Sequence, residues 1–202
     1  MLSKILQESI ADLFSKGEFE NVITKIEEFS SFEDRSPGLS SILGVCRMLK
    51  RSKSKNDLIL ALKDFQSAFN KSSDKNLSIE VLCNFISACL KNIKQNKDAQ
   101  NYLFDAKKMF DKAENRFGYN EKLFKYGVDL YNHFCDHNKL KYLLYHLISN
   151  NCKEKSIACS YGFFNNYIYD WDIEDYYNYS KKFKNYFPSH EVVKLKKIIL
   201  NK

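Results

Sequence analysis

The chain has 202 residues, 44% of them hydrophobic and 28% charged, with a formal net charge of +7 and a mean hydropathy of −0.47. That length buries a substantial core in one or two domains. Only six Gly and two Pro supply breakers, which excludes a turn-dense sheet protein and predicts an all-α chain. No run approaches the ~18 uncharged apolar residues of a membrane span. The opening Met1-Leu2-Ser3-Lys4-Ile5 has no continuous secretory core, so a cytoplasmic protein is expected.

Leu2, Ile5, Leu6, Ile10, Leu13 and Phe14 keep helical period and predict a first helix that Gly17 ends. Phe19, Val22, Ile23, Ile26 and Phe29 predict the second. Ser36 before Pro37 reads as an N-cap with proline in the first turn, opening a third helix through Leu39, Ile42, Leu43 and Cys46. Asn56 is expected to cap a fourth helix running to Asn70, and Asn76 or Ser78 to start a fifth through Leu90. The sixth spans Asp98 to Arg116 and ends at Phe117-Gly118-Tyr119-Asn120. Helices over 120–136 and 139–149 pair next. A last hairpin at 154–168 and 172–187 follows, with Trp171-Asp172 between its helices, then Pro188 and a Lys-rich helix from Glu191 to Leu200.

Ala61, Phe65 and Ala68 share their spacing with Ala106, Phe110 and Ala113, and Val22, Ile26 and Phe29 form a looser copy. Offsets of four and three place each trio on one helical stripe, where small residues admit a neighbouring helix. Leu43-Gly44 precedes the first trio and Cys83 the second, while Tyr126-Gly127 precedes Leu140, Leu143 and Leu147. These residues resemble the tetratricopeptide repeat, a helix-turn-helix unit of about 34 residues. The resemblance covers most of residues 3–150, with insertions at Arg51 to Asn56 and around Lys91 to Lys97. It implies a right-handed superhelical stack of about five helical hairpins: repeats over 1–150, an aromatic-rich terminal hairpin over 151–187, and a C-terminal helix or linker over 188–202. An irregular helical bundle is the competing architecture.

Charge and cysteine usage narrow the chemistry. The 28 Lys against four Arg, with abundant Asn, Ile, Phe and Tyr, is the profile of A/T-rich codons, and it lacks the Arg suited to bidentate phosphate recognition. Residues 1–40 carry four basic and eight acidic side chains, residues 41–100 eleven and five. Nucleic-acid binding through this Lys-rich middle is a secondary reading that predicts a steep salt dependence. Six scattered cysteines form no Cys-x-x-Cys pair and read as reduced, buried hydrophobes. His133-x-Cys135-x-His137 resembles a metal site only if both histidines share one helical face, with His146 approaching from the next helix. Asp136 lies on another face and no carboxylate set completes the group, so these are read as surface or helix-end histidines and no metal or cofactor is expected. No phosphate-cradling loop, nucleophile elbow or catalytic dyad is present in the sequence, and the chain is not expected to be an enzyme.

The stretch from Tyr161 to Phe187 stands apart in its density of aromatics. It reads as a terminal cap closing the stack. Asn166-Tyr167, Glu174-Asp175, Tyr177, Lys181-Lys182, Phe183 and Phe187 also resemble the linker hairpin of bacterial SPINDLY-like and O-linked N-acetylglucosamine transferase-like glycosyltransferases, with Ser180 where that pattern has histidine. In that family two α/β domains after the linker hold the sugar nucleotide, so the resemblance implies a substrate-presenting arm whose catalytic domain is absent from these 202 residues. No transferase activity is expected of them.

The leading functional expectation is a protein-interaction module that holds a peptide or partner protein on a concave helical surface. Arg47 and Asn84 are its polar candidates, and Tyr126 and Tyr131 its aromatic anchors. Self-association through the stack ends is a further expectation.

Overall fold

The computed structural model describes residues 4–51, 54–93 and 97–150, where the regular elements are eight helices with no strand. They are α1 (Lys4–Ser15), α2 (Phe19–Phe29), α3 (Pro37–Leu49), α4 (Lys55–Lys71), α5 (Lys75–Asn92), α6 (Lys97–Phe117), α7 (Glu121–His133) and α8 (His137–Ser149). None of them is long and apolar enough to cross a membrane. The expected hairpin over 154–187, the Trp171-Asp172 junction and the helix from Glu191 lie outside the described residues.

Helix starts follow local capping chemistry. The Ser36 hydroxyl accepts from the Leu39 N–H with Pro37 in the first turn, as the sequence predicts. The fourth helix is capped by Ser54 rather than Asn56. Ser54 and Asp57 form a reciprocal capping box, each side chain accepting from the other's backbone N–H, and only residues three apart can do this. Asp74, not Asn76 or Ser78, caps α5 through the Leu77 N–H at 2.7 Å. Asn120 caps α7 through Leu123.

The chain divides between Gly118 and Tyr119 into two compact units, within the span read from sequence as a single repeat array. In the first unit each helix packs on the next, and α3 also touches α5 and α4 touches α6. Leu6, Ile10, Val22, Ile26, Leu39, Leu43 and Cys46 fuse the first three helices into one apolar cluster. Both alanine-phenylalanine-alanine trios are buried completely. The looser copy departs from them, because Val22 and Ile26 are buried but Phe29 is 63% exposed. In the second unit α7 packs on α8 around Leu123, Phe124, Leu140, Leu143 and Leu147.

Two features tie α3 and α4 into a close pair. A Cβ added to Gly44 would lie 2.5–2.8 Å from three atoms of the Phe65 ring, so the glycine is required by the approach of that ring. Lys71 closes the hairpin from the far end, its Nζ donating to the carbonyl oxygen of Glu33 at 2.7 Å. Arg116, three residues after Ala113 as Lys71 is after Ala68, donates in the same way to the carbonyls of Ser72 and Ser73 at 3.4 Å. In both hairpins a cation at the end of the second helix satisfies backbone carbonyls in the loop that leads into the first.

Candidate functional site

A cleft of about 510 Å³ opens between α3 and α5, with Phe65 of α4 among its lining residues. Val45, Met48 and Leu49 form its α3 wall, at offsets that place them on one helical face. Asn84, Ser87, Ala88, Lys91 and Asn92 form the α5 wall at the same periodicity. Two short antiparallel connections separate α3 from α5, so the two walls run in the same direction. Leu49 is 52% exposed and Val45, Met48, Asn84 and Ser87 are half-buried, which leaves the cleft accessible to solvent. Asn92 Nδ2 donates to the Ala88 carbonyl at 2.8 Å, fixing that amide against its own helix.

The face of α3 turned away from the cleft carries a buried charge network. Arg47 is 3% exposed and pairs with Asp64 of α4 and Glu27 of α2. Arg35, from the loop before α3, reaches the same Asp64 with Nη1–Oδ1 at 3.5 Å and donates to the Ser30 carbonyl. Asp64 is thus a buried carboxylate between two guanidinium groups. Burial lowers the Arg47 pKa, and the neighbouring Glu27 carboxylate works against that shift. Cys46, buried beside it, is pushed up to about 12 by burial and is a thiol at any physiological pH. At the α3–α4 turn, burial would raise the Asp57 carboxyl, but hydrogen bonds from Lys50, at 2.7 Å, and Ser54 prevail and hold it below its ordinary value.

Of the four residues expected to bind a partner, Arg47 and Asn84 lie in the first unit and Tyr126 and Tyr131 in the second. Asn84 lines the cleft. Arg47 is turned into the core, where Asp64 and Glu27 occupy its guanidinium, so it is no part of an accessible surface. Tyr126 is half-buried on α7, and Tyr131 is 1% exposed with Lys139 Nζ 5.9 Å from its ring centre. The sequence reading passed over Val45, Met48, Leu49, Ser87 and Lys91. Their signal was the stripe that continues from Leu43-Gly44 and Cys83 along each helix, which periodicity alone does not separate from core.

The histidines are not on one helix. His133 ends α7 and His137 begins α8, because Phe134 to Asp136 form the turn between them with Cys135 at φ +52°. Asp136 caps α8 through the Lys139 N–H. His146 packs in an aromatic cluster, its ring centre 4.4 Å from that of Tyr142 and 5.9 Å from that of Phe124. Among the described residues no group of three or more His, Cys, Asp or Glu is placed to hold a metal ion. The aromatic stretch 161–187 and the linker pattern from Asn166 to Phe187 lie outside the described residues. Comparison of the chain with known protein families, curated proteins and solved structures gives no match.

Proposed function

We propose that this chain is a tetratricopeptide-like interaction module and that the cleft between α3 and α5 takes a segment of a partner protein. The observation that carries this reading is the cleft itself: equivalent faces of the first helices of two successive hairpins form its walls, with exposed or half-buried apolar side chains on one of them. Three features support the repeat reading. Gly44 and Phe65 interlock within one hairpin. Contacts skip from α3 to α5 and from α4 to α6. The backbone contacts of Lys71 recur at Arg116. Stacked hairpins of this kind present binding grooves rather than sequestered reaction centres.

The test is a selection of random twelve-residue peptides on the full chain, followed by affinity measurement on variants. Met48→Arg, which puts a charge on the α3 wall, is expected to abolish binding. Phe104→Ser, at a 53% exposed position on α6 that does not line the cleft, is expected to leave binding unchanged. Selected peptides that bind Met48→Arg as well as they bind the parent chain would refute the cleft as the site.

A further inference from the structure

The two walls differ in chemistry. Val45, Met48 and Leu49 make the α3 wall wholly apolar, whereas α5 contributes amide, hydroxyl and ammonium groups. Among the described residues, Lys91 is the one ionisable side chain lining the cleft. It is exposed and pairs with no described residue. Lys50, just past the end of α3, is held by Asp57, and that carboxylate is in turn occupied by Lys50 and Ser54. Glu80, one turn before Asn84 on α5, lies beyond the other end of the cleft. The α5 side therefore runs from an acid, past neutral amide and hydroxyl groups, to a base.

We infer that the segment taken by the cleft is an acidic, amphipathic peptide, lying with aliphatic side chains on the α3 wall and a carboxylate against the Lys91 ammonium. The inference rests on reading the cleft as a peptide site and adds to it a charge and a direction. A basic peptide meets like charge at Lys91 and finds no carboxylate among the described lining residues, while a neutral apolar peptide leaves the polar α5 wall unmatched. An acidic one matches both walls and places its carboxylate at the end where Lys91 stands. The lysine also complements the negative end of α5. That role leaves its ammonium directed at solvent and open to a ligand carboxylate.

The peptides selected on the full chain supply the probes. They are expected to be enriched in Asp or Glu next to aliphatic residues and to bind more weakly as salt is raised. Lys91→Glu is expected to weaken them by about threefold to tenfold, with Lys91→Gln intermediate, and to select basic peptides when the library is screened again. Peptides that need Met48 but ignore Lys91→Glu would overturn this inference and leave the cleft standing. Peptides that ignore Met48 as well would remove both. A thymidine oligonucleotide that binds more tightly than the selected peptides, and loses affinity in Lys91→Glu, would overturn the inference in favour of nucleic acid. Lys91 is exposed, so Lys91→Gln is expected to unfold thermally close to the parent, and Lys91→Glu, which puts a negative charge at the carboxyl end of α5, slightly below it.

Discussion

Aligned in sequence on their alanine-phenylalanine-alanine trios, the α3–α4 and α5–α6 pairs carry different chemistry at one pair of positions. Counting from Gly44 and Cys83, Arg47 of α3 corresponds to Ile86 of α5; counting from Ala61 and Ala106, Asp64 of α4 corresponds to Met109 of α6. All four are buried. One hairpin has an ion pair where the next has two apolar side chains, so the packing of a hairpin does not itself require charge there. What the charged version adds is connection: Asp64 also meets Arg35 from the preceding loop, and Arg47 also meets Glu27 on α2. The network joins the first hairpin to the second. Buried ion pairs are weak net stabilisers, whereas a buried charge left without its partner is costly.

The comparison breaks most sharply at Asp64. Asp64→Leu leaves Arg35 and Arg47 buried without the carboxylate between them, and is expected to cost about 3 to 5 kcal/mol in urea unfolding followed by circular dichroism. Giving the second hairpin the residues of the third, Arg47→Ile with Asp64→Met, and removing the stranded cation with Arg35→Leu, is expected to recover at least half of that loss. If the triple variant is no more stable than Asp64→Leu, the network contributes more than its charges, and the equivalence of the two hairpins fails at this layer.

The Gly44 contact sharpens the same comparison with a smaller effect. Gly44→Ala forces a Cβ into the Phe65 ring, which is 1% exposed, at an expected cost of about 1 to 3 kcal/mol. Cys83 stands at the equivalent point of α5 and is fully buried, so a side chain is already accommodated there; Cys83→Ala is expected to cost less than Gly44→Ala. Phe65→Leu should restore part of the loss in a Gly44→Ala background, by making the room that the methyl needs. Equal costs at the two positions would mean that the contact in the second hairpin is not special.

The fold was legible where one residue carries a strong local preference. Gly17, Ser36-Pro37 and Phe117-Gly118 marked helix ends because φ of +73° at Gly17 and +67° at Gly118, and an N-cap followed by proline, are local requirements. The buried stripes of α4 and α6 were legible from spacing. Starts were misplaced at α4 and α5, where several capping residues stand together and the choice depends on which side chain finds a partner three positions on, as Ser54 finds Asp57. The site was less legible than the fold. Arg47 read as a surface cation because its partners, Glu27 and Asp64, lie 20 and 17 residues away and only tertiary packing brings them to it. Val45, Met48 and Leu49 drew no reading of their own, because an accessible wall and a buried one share the same periodicity.

The turn at Cys135 went unread for a related reason, and it supports the finest comparison in the molecule. After α1, the Gly17 N–H donates to the Phe14 carbonyl at 3.1 Å and the Glu18 N–H to the Leu13 carbonyl at 3.0 Å. After α7, the Cys135 N–H donates to Asn132 and the Asp136 N–H to Tyr131, both at 3.1 Å. Both helices end in the same paired motif, whose central residue sits in the left-handed region. One turn places glycine there and the other an L-residue at φ +52°, a conformation that costs on the order of 1 kcal/mol for a side chain with a Cβ. Glycine also frees the unfolded chain, which offsets part of the gain. Cys135→Gly is therefore expected to stabilise α7–α8 by about 0.5 to 1 kcal/mol, and Gly17→Ala to destabilise α1–α2 by about 1 kcal/mol, both read from thermal unfolding. Cys135→Ala separates backbone from thiol: it keeps the Cβ and removes the sulfur, so it should gain nothing. A gain from alanine equal to that from glycine would show that the sulfur, rather than the backbone, was the source of strain.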